Sequence, residues 1–109
     1  MDFNEYQKQS RRFVIYPNAG ENITYPTLGL ANEAGEVAGK VKKVFRDGAG
    51  VPSEEQKSQI VDEIGDVLWY CAQLATELGV TLNTIATHNI EKLSSRLERG
   101  QLGGSGDKR

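Results

Sequence analysis

Apolar residues recur along this chain at helical spacing, in three long stripes. From about Thr27 to Phe45 the stripe is Leu30, Ala34, Val37, Val41, Val44 and Phe45. From about Glu54 to Leu78 it is Ile60, Ile64, Val67, Cys71, Leu74 and Leu78. A last one, capped by Thr81 and ending near Arg99, is Leu82, Ala86, Ile90, Leu93 and Leu97. A shorter first helix is predicted from an Asp2 cap to about Phe13, with Phe3 and Tyr6 one turn apart. Between them, Pro17, Asn18, Gly20 and Pro26 mark a loop. Ser53 and Gln56 fit a capping box, and Gly48, Gly79 and Gly100 read as stop signals. No stretch alternates with a period of two, so the expected class is all-α. Short links favour an antiparallel four-helix bundle-like module over residues 1–99, followed by a flexible, Gly-rich tail at 100–109.

The third helix carries more apolar surface than one partner covers. Val61, Leu68, Trp69 and Ala72 fall outside its main stripe, and a helix apolar most of the way round is buried on both sides. The expected second cover is another subunit, with Trp69 at the contact or stacked on a nucleobase. Cys71, on the stripe, reads as a core filler.

The polar flanks carry the chemistry. Glu33 and Glu36 sit beside the second helix's stripe, and Lys40 and Lys43 continue that row. Glu63 and Asp66 sit beside the third helix's stripe, followed by Tyr70, Gln73 and Glu77. The segments Asn32–Val37 and Asp62–Val67 resemble each other, as if two antiparallel helices offered matching edges. Carboxylates gathered in a half-buried place repel one another and lose hydration. A hard cation with oxygen ligands, Mg²⁺ or Mn²⁺, offsets both costs. Asp62 lies further toward solvent. On the fourth helix Asn89, Lys92, Arg96 and Arg99 form a cationic edge suited to phosphate oxygens.

Composition narrows the remaining classes. With 109 residues the chain is one domain, small enough for partners or metals to supplement its core. The formal net charge is −2, so no basic excess points to a nucleic-acid polymer or an anionic membrane. One Cys and one His exclude an internal disulfide, a Cys-rich zinc site and HExxH chemistry. Di-iron bundles need Glu-x-x-His pairs, and Ile85 stands three residues before His88. The longest apolar run, Val67–Ala72, is too short to span a bilayer, and the first residues have no apolar signal core. The expectation is a soluble, cytoplasmic protein.

The ordered set Glu33-x-x-Glu36 then Glu63-x-x-Asp66 resembles the metal-binding signature of MazG-like nucleoside triphosphate pyrophosphohydrolases, of the all-α NTP pyrophosphatase group. The words Gly29–Val37, Asp62–Val67 and Asn89–Leu93 with Arg96 and Gly100 are similar too, and the resemblance covers roughly residues 25 to 106. It implies Mg²⁺-dependent hydrolysis of (d)NTPs between the α and β phosphorus atoms, giving a nucleoside monophosphate and pyrophosphate. It implies a homodimer or a tetramer of dimers. It makes Glu33, Glu36, Glu63 and Asp66 the metal ligands and catalytic acids. Lys92 and Arg96 hold phosphates, and Asn89 contacts the nucleotide or a phosphate; Lys40 and Lys43, from their own place on the second helix, would complete a cationic ring around the metal centre. Trp69 and Tyr70 remain candidates for a base or interface contact. Rival readings are another pyrophosphate-linked substrate at the same site, such as a phosphoribosyl nucleotide or an alarmone, and a non-catalytic helical interaction module.

Overall fold

The computed structural model describes residues 1–109 as four α-helices without a strand: α1 (Phe3–Ser10), α2 (Thr24–Asp47), α3 (Glu54–Glu77) and α4 (Leu82–Glu98). Local signals set most of the boundaries. The Asp2 carboxylate accepts from the Glu5 amide at 2.8 Å and starts α1. Ser53 and Gln56 form the reciprocal capping box that starts α3. Thr81 caps α4 by accepting from the Thr84 amide. Gly79 and Gly100 take positive φ, 74° and 67°, where a side chain would be strained. At each, paired bonds close the helix: Gly79 N to Thr76 O with Val80 N to Ala75 O, and Gly100 N to Leu97 O with Gln101 N to Arg96 O.

Two boundaries differ from the sequence reading. The first helix tightens to a 3-10 turn at Arg11–Phe13 instead of continuing as α-helix. There the Ser10 hydroxyl donates back to the Gln7 carbonyl. The second helix begins at Thr24, so Pro26 lies inside its first turn rather than in the loop. A first-turn residue has no intrahelical amide bond to lose, so proline is tolerated. Asn22 supplies the missing cap, its Oδ1 accepting from Tyr25 N at 2.9 Å.

Four helices without a strand match the expected all-α class, and within one chain they do not close into a bundle. The α2 helix packs along α3, while α4 meets α1 and α3. The small core is Ala72, Ala75 and Leu82, with Tyr6, Leu68 and Cys71 against it. Gln7 staples the α3–α4 turn, donating to Thr76 Oγ1 and Val80 O and accepting from Leu82 N. The radius of gyration is 16.7 Å, against about 13 Å for a compact chain of this length. Accordingly the predicted stripes are only partly covered: Ile64 is 51% exposed, Ile90 62% and Leu97 66%.

The off-stripe side of α3 meets α1 within the chain, which leaves Leu68 and Trp69 half-buried. Trp69 Nε1 donates to the Ser10 carbonyl at 3.1 Å, and Leu68 packs with the core cluster. Val61 alone of that set stays well exposed. No helix is long and apolar enough to cross a membrane.

Candidate metal and nucleotide site

The α2–α3 pair brings three acids together. One carboxylate oxygen from each of Glu33, Glu63 and Asp66 lies within 4.8 Å of the others. Glu33 and Glu63 are half-buried and Asp66 is exposed. Glu36, one turn along from Glu33, remains in solvent outside this trio. Its charge still reaches the group. Burial first, then the charges of Asp66, Glu63 and Glu36, hold the Glu33 carboxyl above the usual carboxylate range. No lysine or arginine forms an ion pair with any of the four acids. An all-oxygen, uncompensated donor set on two neighbouring helices fits a hard divalent cation.

A cavity of about 220 Å³ adjoins these acids, lined by Glu33, Asp66, Trp69 and Tyr70. Its aromatic wall continues through Tyr25 to buried Tyr16. Trp69 meets Tyr70 edge-on at 5.0 Å, Tyr70 meets Tyr25 at 6.4 Å, and Tyr25 stacks on Tyr16 at 5.0 Å. The Tyr70 ring lies directly over Gly29, where a Cβ would overlap it. Burial, then Tyr25, Glu33 and Asp66, raise the Tyr70 phenol's proton affinity. Gly29 is a residue whose role sequence reasoning missed. Its signal was only a glycine inside a helix, where glycine costs stability unless something packs against it.

Further along the same row of α3 the polar side chains turn inward. Gln73 is fully buried, donating to Ser10 Oγ at 2.9 Å and to Trp69 O. Glu77 binds Arg11 at 2.7 Å and accepts from the Gly20 and Asn22 amides. This polar row therefore begins at the acids and ends by anchoring the loop that precedes α2.

The MazG nucleotide pyrophosphohydrolase domain matches residues 23–100, which include α2, α3 and α4. The chain belongs to this family. It is similar to the Gene 37 protein of Mycobacterium phage L5, 46% identical over 114 residues that cover all of both chains. It is also similar to the uncharacterized protein YvdC of Bacillus subtilis (strain 168), 37% identical over 75 residues, covering 63% of this chain and 70% of that one. No solved structure matches it.

A MazG domain is a nucleotide pyrophosphohydrolase domain, and the acidic trio, which could hold a metal ion, lies on α2 and α3 within the matched residues. The candidate phosphate ligands are placed differently. Lys40 is half-buried and Lys43 exposed on α2, and neither has an ion pair. Asn89 is exposed on α4. Lys92 Nζ lies 3.3 Å from Asp107 Oδ1. Arg96 is only 4% exposed, and its Nη2 donates to the Asp107 carbonyl at 2.5 Å. No hydrogen bond or ion pair joins these α4 cations to the acids of the same chain.

Proposed function

We propose that this MazG-family chain hydrolyses (d)NTPs at the α–β phosphoanhydride, releasing a nucleoside monophosphate and pyrophosphate. The observation that carries the reading is the convergence of Glu33, Glu63 and Asp66 within 4.8 Å, without a basic partner, inside a MazG domain. Mg²⁺ suits these oxygen donors, with Mn²⁺ a possible substitute. Glu36 supplies a fourth carboxylate from one turn further along α2. When bound, the ion neutralises triphosphate charge and makes a water more acidic.

The remaining work falls to the chain's own side chains. A carboxylate of the acidic set takes the proton of the attacking water. Trp69 and Tyr70 wall the adjoining cavity and offer aromatic faces to a nucleobase. Lys40, Lys43, Lys92 and Arg96 neutralise phosphates and the charge that grows on the leaving pyrophosphate, and Asn89 hydrogen-bonds the nucleotide or a phosphate. No Cys, His or Ser nucleophile is required.

The proposal includes self-assembly, as a homodimer or a tetramer of dimers, in a cytoplasmic setting. The support is the extended shape of the single chain and the partly exposed apolar stripes of α3 and α4. A second copy against those faces would complete the core and enclose the nucleotide.

The test is a panel of (d)NTPs, with and without Mg²⁺, assayed for pyrophosphate against orthophosphate. Metal-dependent pyrophosphate release supports the reading. Orthophosphate release, or hydrolysis unaffected by EDTA, overturns it. Including other pyrophosphate-linked nucleotides in the panel fixes the substrate class.

A further inference from the structure

The C-terminal segment does something that the proposed reaction does not require. Beyond Gly100, with φ 67°, the chain folds back along α4. Asp107 then sits on the cationic edge. Its Oδ1 is 3.3 Å from Lys92 Nζ and 3.5 Å from Arg96 Nη2, and its carbonyl accepts from the same Nη2. Arg109 fastens the segment to itself, donating to the carbonyls of Gln101 (2.9 Å), Gly106 (2.6 Å) and Leu102 (3.1 Å). Arg99 donates to the Arg109 carbonyl at 2.7 Å. Residues 101–109 lie outside the matched MazG domain.

We propose that residues 101–109 form a displaceable strap whose Asp107 occupies the phosphate-binding cations Lys92 and Arg96 in the free protein, so that a triphosphate binds by expelling it. The inference rests on the reading of Lys92 and Arg96 as phosphate ligands, and concerns how access to them is controlled.

Two features make the strap a temporary occupant. Its grip on Arg96 is incomplete: Nη2 is served, while Nε is buried without any acceptor. A guanidinium offers parallel donors that a phosphate group takes two at a time, so phosphate satisfies what the strap leaves unpaired. The Asp107 side chain is also 86% exposed, so its ion pairs are screened and exchange readily. A strap closed for most of the time lowers apparent phosphate affinity by the fraction of molecules that are open.

The experiment measures binding of inorganic tripolyphosphate to the 109-residue chain by calorimetry, without metal and independent of hydrolysis. Asp107→Asn and Arg109→Ala are each expected to tighten binding by about threefold, the range of an exposed ion pair. Glu98→Gln, which changes charge as Asp107→Asn does but on a residue outside these ion pairs, is expected to leave affinity unchanged. Arg109→Ala is the sharper variant. It removes a positive charge, so bulk electrostatics would weaken anion binding, whereas strap release strengthens it. In the hydrolysis assay the same two variants lower KM by the same factor with kcat unchanged. If Arg109→Ala binds no tighter and Asp107→Asn behaves as Glu98→Gln, while Arg96→Ala loses binding, the strap is overturned and the phosphate site stands. If Arg96→Ala binds as wild type, both fall. If no nucleotide is hydrolysed yet the tightening is seen, the strap stands and the catalytic reading falls.

Discussion

Glu77, near the end of α3, and Arg11, in the 3-10 turn after α1, form an ion pair of 2.7 Å in which the Glu77 side chain is wholly out of solvent. Burial disfavours that charge, but the Asn22 and Gly20 amides and the Arg11 guanidinium more than offset it. Its pKa falls from 4.5 to about 2. One carboxylate thus ties α3 to α1 and to the loop that launches α2.

This gives a pH prediction with a definite sign. A depressed folded pKa means that the unfolded chain binds the proton more tightly. The stability contributed by Glu77 is therefore fully present above about pH 4.5 and is lost as pH falls toward about 2. Glu77→Gln should flatten that acid limb in thermal melts and cost about 2 kcal/mol at neutral pH, the loss of charge-assisted hydrogen bonds. An acid limb unchanged in Glu77→Gln would assign the acid sensitivity to other groups.

At Glu33, in the acidic trio, the sign is opposite. Glu33 has a raised folded pKa, so its contribution in the metal-free protein is present below about 4.5 and lost as pH rises through the folded value. A divalent ion that binds only the folded, ionised cluster reverses this. At about 100 times its Kd it adds about 2.7 kcal/mol, a melting shift on the order of 10 °C for a domain of this size. Melts at pH 7 to 8 with EDTA or Mg²⁺ read the shift directly. Glu63→Gln should lose it and slow pyrophosphate release at least about a hundredfold, while helical circular dichroism stays unchanged.

Gly29 and Tyr70 give a packing prediction. A methyl group at Gly29 overlaps the Tyr70 ring, so Gly29→Ala must push the ring aside. Overpacking of this kind costs about 1–3 kcal/mol. Because Tyr70 also lines the cavity beside Glu33 and Asp66, nucleotide KM should rise together with the fall in melting temperature. Restored stability in Gly29→Ala/Tyr70→Leu would confirm the ring as the clashing group, and a silent Gly29→Ala would remove it.

The exposed stripes predict assembly. Light scattering should return at least twice the chain mass at micromolar concentration. Leu97→Asp, at a side chain 66% exposed within the chain, should produce monomers or unfolding. A wild-type monomer would be the contrary result. Trp69→Glu is not the informative variant, because α1 already meets Trp69, and it would report on the α1–α3 contact instead.

The sequence by itself determined the four helices and most of their ends. Caps, glycine stops and the 3.6-residue period act within a few residues of one another, so Asp2, Ser53–Gln56, Thr81, Gly79 and Gly100 could be read without any partner. It also determined which edge of each helix carries Glu33, Glu63 and Asp66, because residues three apart share a face. Tertiary structure decided what those edges meet. It drew three of the four acids into one group and left Glu36 beyond it, laid α1 over Trp69, and buried Gln73 and Glu77 at positions of a row that also holds exposed Asp66. It set Asp107 against Lys92 and Arg96, away from the acids of the same chain. Those outcomes depend on how whole helical surfaces fit across long sequence separations, and no local spacing encodes that fit.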